Sequence, residues 1–201
     1  GKSTLMNTLV GTKVSIVTPK VQTTRSRVRG IAMHDDAQVI FIDTPGIFTP
    51  KRRLDRAMVS AAWQGASDGD LVVLVHDAAR SQIDDDTLRI LDQLNTNNVR
   101  AALVLNKIDL MDREKLLERA SALSSRAEFS QVFMLSAEKA SGTDDFLKWL
   151  ASQMPEGPYY FDPEDLSDMP QRLLAAEVLR EKLFLNLHQE LPYQLTVETE
   201  Q

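Results

Sequence analysis

The chain has 201 residues, 43% of them hydrophobic and 26% charged, with a formal net charge of −6 and no cysteine. This is the composition of a globular protein that can bury a core without covalent staples, and it excludes disulfides and thiolate metal sites. The acidic balance argues against a broadly basic nucleic-acid-binding surface, and the longest aliphatic runs, Leu71 to Val75 and Ala101 to Leu105, are far too short to span a bilayer.

In chain order, Gly1-Lys2-Ser3-Thr4 runs into an apolar helical stretch, Leu5 to Val10. The string is the closing half of G-x-x-x-x-G-K-[ST], in which backbone amides and a helix start face phosphates. Lys2 would then reach the β- and γ-phosphates and the Ser3 hydroxyl would bind Mg²⁺. The first strand and the opening half of the loop are expected to lie before Gly1. Val14 to Arg29 follows, rich in threonine and basic residues, where Thr24, or failing that Thr23, is placed to close on Mg²⁺ when a γ-phosphate is present.

Val28 to Met33 and Gln38 to Ile42 read as a strand pair turning at His34 to Ala37. The second strand ends in Asp43-Thr44-Pro45-Gly46, an acid at a strand's carboxyl end, where open α/β sheets bind ligands. Asp43 is expected to hold Mg²⁺ through water, and the Gly46 amide to sense the γ-phosphate. A helix over Leu54 to Gly65, a strand over Leu71 to His76, a helix over Asp84 to Asn95 and a strand over Ala101 to Leu105 come next. That strand closes on Asn106-Lys107-Ile108-Asp109. The Asp109 carboxylate can accept paired hydrogen bonds from guanine N1 and N2, which adenine does not offer; Asn106 can face O6 and tie loops together, and the Lys107 stem can lie over the base. After a helix over Arg113 to Arg126 and a strand over Gln131 to Leu135, Ser136-Ala137-Glu138 would supply backbone amides toward guanine O6, followed by a helix over Asp144 to Met154. Gly1 to Thr4 or Asp43 to Gly46 alone is matched better by an ordinary loop, whereas Asn106 to Asp109 is the most specific of the strings. Their order, each beyond a strand or opening a helix, is what indicates a guanine-nucleotide site.

Alternation of apolar strands with helices predicts an α/β fold, a mostly parallel sheet covered on both faces. Met154 to Pro170, with Pro155, Gly157, Pro158, Pro163 and an acidic run, reads as a linker. Beyond it, Gln171 to Glu190 is helical by its leucine spacing, and Gln194 to Glu200 alternates like a strand. The expected division is a GTPase domain over 1–153, a linker over 154–170, and the start of a second, incomplete domain over 171–201. The basic clusters Arg25, Arg27, Arg29 and Lys51, Arg52, Arg53, Arg56 fit a solvated face as well as an RNA or phosphate contact. His34, His76 and His188 are scattered, with no metal-ligand spacing.

The chain resembles the translation-factor-related P-loop GTPases, and within them the Era family. The nucleotide motifs over Gly1 to about Gln153 carry the general resemblance. Ser15-Ile16-Val17-Thr18-Pro19-Lys20 with Gln22-Thr23-Thr24-Arg25 looks like the Era first switch loop, and Thr44-Pro45-Gly46-Ile47 like the start of its second. Gly157-Pro158-Tyr159-Tyr160, Ala176 to Leu183 and Glu190-Leu191-Pro192-Tyr193 resemble the linker, helix and first-strand opening of its RNA-binding KH domain. The resemblance implies the three-layer P-loop GTPase fold, GTP/GDP and Mg²⁺ as ligands, and K⁺, whose asparagine in the phosphate loop would precede Gly1. It also implies a cytoplasmic monomer, peripheral to the inner face of the plasma membrane, that binds small-subunit ribosomal RNA and assists 30S assembly. The KH Gly-x-x-Gly loop is not among these residues, so no RNA contact is assigned. Ile47 stands where Ras-like proteins place the glutamine that orients the attacking water, so slow intrinsic hydrolysis is expected, with water positioned by other groups, an ion or a partner. Arg25 or Arg52 as an arginine finger is the lesser reading. The alternatives are a related GTPase of tRNA modification or large-subunit assembly, and a nucleotide-dependent RNA-binding module with negligible turnover.

Overall fold

The computed structural model describes residues 1–18, 24, 28–47, 53–187 and 196–198. Its elements in order are α1 (Lys2–Val10), β1 (Val28–His34), β2 (Ala37–Asp43), α2 (Arg53–Asp68), β3 (Val72–Asp77), α3 (Asp85–Thr96), β4 (Ala101–Asn106), a 3-10 turn (Ile108–Leu110), α4 (Arg113–Ser124), β5 (Val132–Leu135), α5 (Thr143–Gln153) and α6 (Gln171–Asn186).

β4 is buried at every residue, the pattern of a strand covered on both faces. Successive side chains point to opposite faces, so Leu103 and Leu105 pack with Leu91 of α3 and Leu116 and Leu123 of α4. Val104 lies on the other face with Leu5 and Leu9 of α1 and Phe146 and Leu150 of α5. Parallel pairing of β3, β4 and β5 aligns Asp77 with Asn106 and Asn106 with Leu135, which brings the strands' carboxyl ends to one rim. The sheet rim is where the site forms.

The expected single sheet is divided among the described residues. β1 and β2 form an antiparallel hairpin, and β3, β4 and β5 a separate parallel sheet. β2 does not pair with β3, and a cavity of about 1130 Å³ runs between them, lined by side chains such as Phe41, Val73 and Phe146. The hairpin turn is also tighter than expected. His34 pairs with Ala37, leaving Asp35 and Asp36 as the turn, with Asp35 in the left-handed region at φ 49. Such two-residue turns match strand twist, and aspartate tolerates that backbone better than most residues.

The linker segment lies along β1. Ile31 N donates to Leu166 O at 3.0 Å, Gly30 bridges Ser167 antiparallel, and the Ser167 hydroxyl donates to Arg29 O at 2.7 Å. Gln38 completes the attachment. Its amide oxygen accepts from Tyr160 N and Phe161 N at 2.9 and 3.1 Å, and its nitrogen donates to Phe161 O at 2.9 Å. The acidic, proline-rich segment is therefore a strap held by backbone groups of β1 and by the Gln38 side chain. The second unit is represented by α6; the strand expected over Gln194 to Glu200 and the string from Glu190 to Tyr193 lie mostly outside the described residues, and residues 196–198 carry no regular structure.

Candidate nucleotide-binding site

Lys2, Ser3 and Thr4 open α1, where free backbone amides and the helix dipole favour an anion. Gly1 precedes them against Asn106: a Cβ there would stand 2.8 Å from Asn106 Nδ2, so only glycine allows the two loops this approach. Burial pushes the Lys2 ammonium below its ordinary value, while the nearby Asp43 carboxylate works to raise it. A desolvated cation close to one carboxylate is arranged to meet further negative charge.

Asp43 ends β2 and is 5% exposed. Its Oδ2 accepts the Ser3 hydroxyl at 2.6 Å, and Thr24 Oγ1 lies 3.3 Å from both Asp43 Oδ2 and Ser3 Oγ. Asp43 Oδ1 is buried and has no hydrogen-bond partner among the described residues. The residues expected to bind metal thus converge from α1, from the loop after it and from β2. Thr23, Arg25 and Arg52 lie outside the described residues. Among the described residues no group of three or more His, Asp or Glu side chains can hold a metal. The donor set is instead two hydroxyls and one carboxylate with an orphaned oxygen. Such hard oxygen donors fit Mg²⁺, which typically takes few protein ligands and completes its shell with water and phosphate oxygens. Thr44, Pro45, Gly46 and Ile47 follow Asp43 along the same cavity, Pro45 buried and the others half-buried.

Asn106 joins the loop after β4 to the loop after β5. Its Oδ1 accepts from Lys107 N at 2.7 Å and Ala137 N at 3.0 Å. Ser136 N donates to Ser141 O at 3.0 Å. Two of the amides expected to face guanine O6 are therefore engaged within the protein. Glu138 follows, exposed, beyond buried Ser136 and Ala137. α1 braces the same loop, since the Thr8 hydroxyl donates to Ala137 O at 2.7 Å. Asp109 sits exposed on the 3-10 turn.

Lys107 adopts the left-handed region at φ 68, which a non-glycine residue accepts only where its surroundings hold it. Its Nζ donates to Asp77 Oδ2 at 2.6 Å. Desolvation alone would raise the Asp77 carboxyl, but the hydrogen bond and charge of Lys107, with Ala79 N and Arg80, hold it below its ordinary value. No motif marks Asp77, although its place at a strand end beside the Asn106 strand is an available signal. Ser15 was likewise missed. Its hydroxyl donates to Asp43 Oδ2 at 2.9 Å, a contact of residues far apart in sequence.

A family model described as 50S ribosome-binding GTPase matches residues 1–107. The chain is 56% identical over 200 residues to GTPase Era of Sinorhizobium medicae (strain WSM419), covering 100% of this chain and 64% of that protein. It is also similar to a crystal structure of Era in complex with MgGDPNP and nucleotides 1506–1542 of 16S ribosomal RNA, with TM-score 0.89, 36% identity, and coverage of 96% of this chain and 66% of that one. A crystal structure of Aquifex aeolicus Era bound to GDP.AlF4− gives TM-score 0.87 and 36% identity, covering 96% of this chain and 65% of that one. The chain thus spans 64% of the length of such a curated relative. The three-layer P-loop GTPase fold follows from these matches, and the chain belongs to the GTPase family that the model describes, its similarity over its full length being to Era.

Proposed function

We propose that the chain is the nucleotide-handling part of an Era-type switch that binds GTP, hydrolyses it to GDP and phosphate, and binds small-subunit ribosomal RNA in 30S assembly. The observation that carries this reading is the meeting of Ser3, Thr24 and Asp43 at the phosphate-loop helix. Nucleotide complexes of similar Era structures support it, as does the 16S ribosomal RNA bound in one of them.

In this reading the amides at the start of α1 cradle the phosphates, and Lys2 neutralises the β- and γ-oxygens. Ser3 and Thr24 would hold Mg²⁺ by their hydroxyls and Asp43 would hold it through water, and the ion would supply positive charge to the phosphate oxygens there. Thr24 and the Gly46 amide register the γ-phosphate, so their loops change when it leaves. Asn106, Lys107, Asp109 and the 136–138 loop hold guanine. With Ile47 in place of a water-orienting glutamine, turnover is slow, and K⁺ or the RNA partner assists it. The division into a GTPase domain over 1–153, a docked linker and a KH domain from 171 belongs to the same proposal, as do a monomeric state and a cytoplasmic, membrane-peripheral location. No described helix is long and apolar enough to cross a membrane.

Single-turnover GTP hydrolysis by the whole protein tests the reading, run with and without K⁺ and with and without a 30S precursor. Phosphate release is expected throughout, fastest with both additions. Absence of γ-phosphate loss under every condition would remove the enzymatic part of the proposal.

A further inference from the structure

Asp43 Oδ2 receives more hydroxyls than metal binding alone explains. Ser3, Ser15 and Thr24 stand 2.6, 2.9 and 3.3 Å from it. Ser3 and Thr24 each have one oxygen, and in the proposed site that oxygen also serves Mg²⁺. Ser15 has no such second duty.

Ser15 is also seated firmly. Both sides of its backbone are clamped by Asn7 of α1: Asn7 Oδ1 accepts from Val14 N at 3.0 Å and Ser15 N at 2.9 Å, and Asn7 Nδ2 donates to Ser15 O at 2.7 Å. Its side chain is buried, with the whole residue 3% exposed. A carboxylate torsion has a broad, two-fold profile, so one fixed donor on one oxygen is enough to choose its plane. With Oδ2 held by Ser15, the buried Oδ1, which has no partner among the described residues, is the oxygen left open to the metal's shell.

We infer that Ser15 is a positioning residue for Mg²⁺ binding: its hydroxyl, clamped through Asn7 to the phosphate-loop helix, orients the Asp43 carboxylate. The inference rests on the magnesium–nucleotide reading above. It adds a rigid link, Asn7 to Ser15 to Asp43, from the helix that holds the phosphates to the acid that holds the metal. A merely structural role would be to satisfy a buried hydroxyl, and its loss would loosen nucleotide binding with or without metal.

The test follows release of mant-GDP from the whole protein across a Mg²⁺ titration and in excess EDTA. Removing a hydrogen bond to a charged group should raise the Mg²⁺ concentration for half-maximal slowing about tenfold in Ser15→Ala, with release in EDTA within about twofold of the unaltered protein. Ser15→Thr, which keeps the hydroxyl, should stay within about threefold of the unaltered Mg²⁺ requirement. An unchanged requirement in Ser15→Ala overturns the inference. So does an equal acceleration in EDTA and Mg²⁺, or a Ser15→Thr shift as large as that of Ser15→Ala. Should Ser15→Ala not fold, Ser15→Cys, with its weak donor, is read by the same criteria. If Mg²⁺ fails to slow release from the unaltered protein, the magnesium reading itself falls, and that failure is distinct from this one.

Discussion

Asp109 and His76 show how much one side chain's surroundings decide. Asp109 is exposed on a turn whose backbone is fixed by the left-handed Lys107 before it, so its carboxylate is presented rather than packed. Asp109→Asn should leave folding intact but exchange an acceptor pair for a donor and an acceptor. GTP affinity is then expected to fall by about 2 kcal/mol or more while xanthosine triphosphate gains. Competition binding with both nucleotides measures this, and unchanged preference for GTP would refute the assigned role. His76, by contrast, is buried at 4% exposure, and its Nε2 has no partner among the described residues. Burial first, then the charges of Arg119 and Arg80, push it down to about 4 from an ordinary 6.5, against the pull of Asp77. Between those values the unfolded chain binds a proton that the folded chain refuses, so stability is full above the unfolded value and declines as pH falls. Urea denaturation should show a loss of about 2 kcal/mol from pH 7 to pH 4.5, with His76→Leu flattening that part of the profile. An identical pH profile in the variant would show that His76 is not the titrating group.

Among the elements, those with a strong local pattern were the legible ones. The near-continuous apolar run Ala101 to Leu105 could only be a doubly covered strand, and β4 is that strand with Asn106 at its end. The helix expected over Asp84 to Asn95 is α3, which Asp84 caps by accepting Thr87 N at 2.7 Å. What did not show was pairing between distant segments. Gln38 holding the strap at Tyr160 and Phe161 leaves no periodicity, because one side chain can meet any backbone that passes it. Gly30 is where these elements crowd most. A Cβ there would lie 2.9 Å from Val10 Cγ2 and 3.1 Å from the Met6 Cγ and Sδ atoms, so α1 sits on β1 through the missing side chain. Val10 is stiff at χ1 and Met6 is not. Gly30→Ala should therefore cost about 1–2 kcal/mol by overpacking, and adding Met6→Ala should cost about 2 kcal/mol or more again, since it empties a buried site while Val10 keeps its clash. Denaturant midpoints at constant slope measure both. A Gly30→Ala protein as stable as the parent would show that α1 moves freely on β1.

Across the whole molecule, the segment after α1, proposed above as the first switch, is held by different parts of the chain. Thr24 joins the hydroxyls around Asp43, whereas Lys13 and Val17 are held from α6. Glu181 of α6 accepts Val17 N at 2.9 Å with Oε1 and pairs with Lys13 through Oε2, its side chain 5% exposed against 46% for Lys13. Desolvation would raise this carboxyl, yet Lys13, Val17 N and Lys182 hold it below its ordinary value. Its contribution to stability is thus present above the unfolded carboxyl value and is lost as pH falls through the folded one. The two partners are separated by most of the chain, which is why no sequence window shows them. Glu181→Gln keeps the shape and an acceptor for Val17 N but removes the charge. Because Lys13 is half in water and can solvate itself when released, the loss should be modest, about 1 kcal/mol at neutral pH. Glu181→Ala, which also strands the Val17 amide, should cost about 2 kcal/mol or more. Hydrogen exchange separates the two effects. Val17 N should stay protected in Glu181→Gln and exchange faster in Glu181→Ala, and equal protection in both would mean that α6 does not anchor the switch segment.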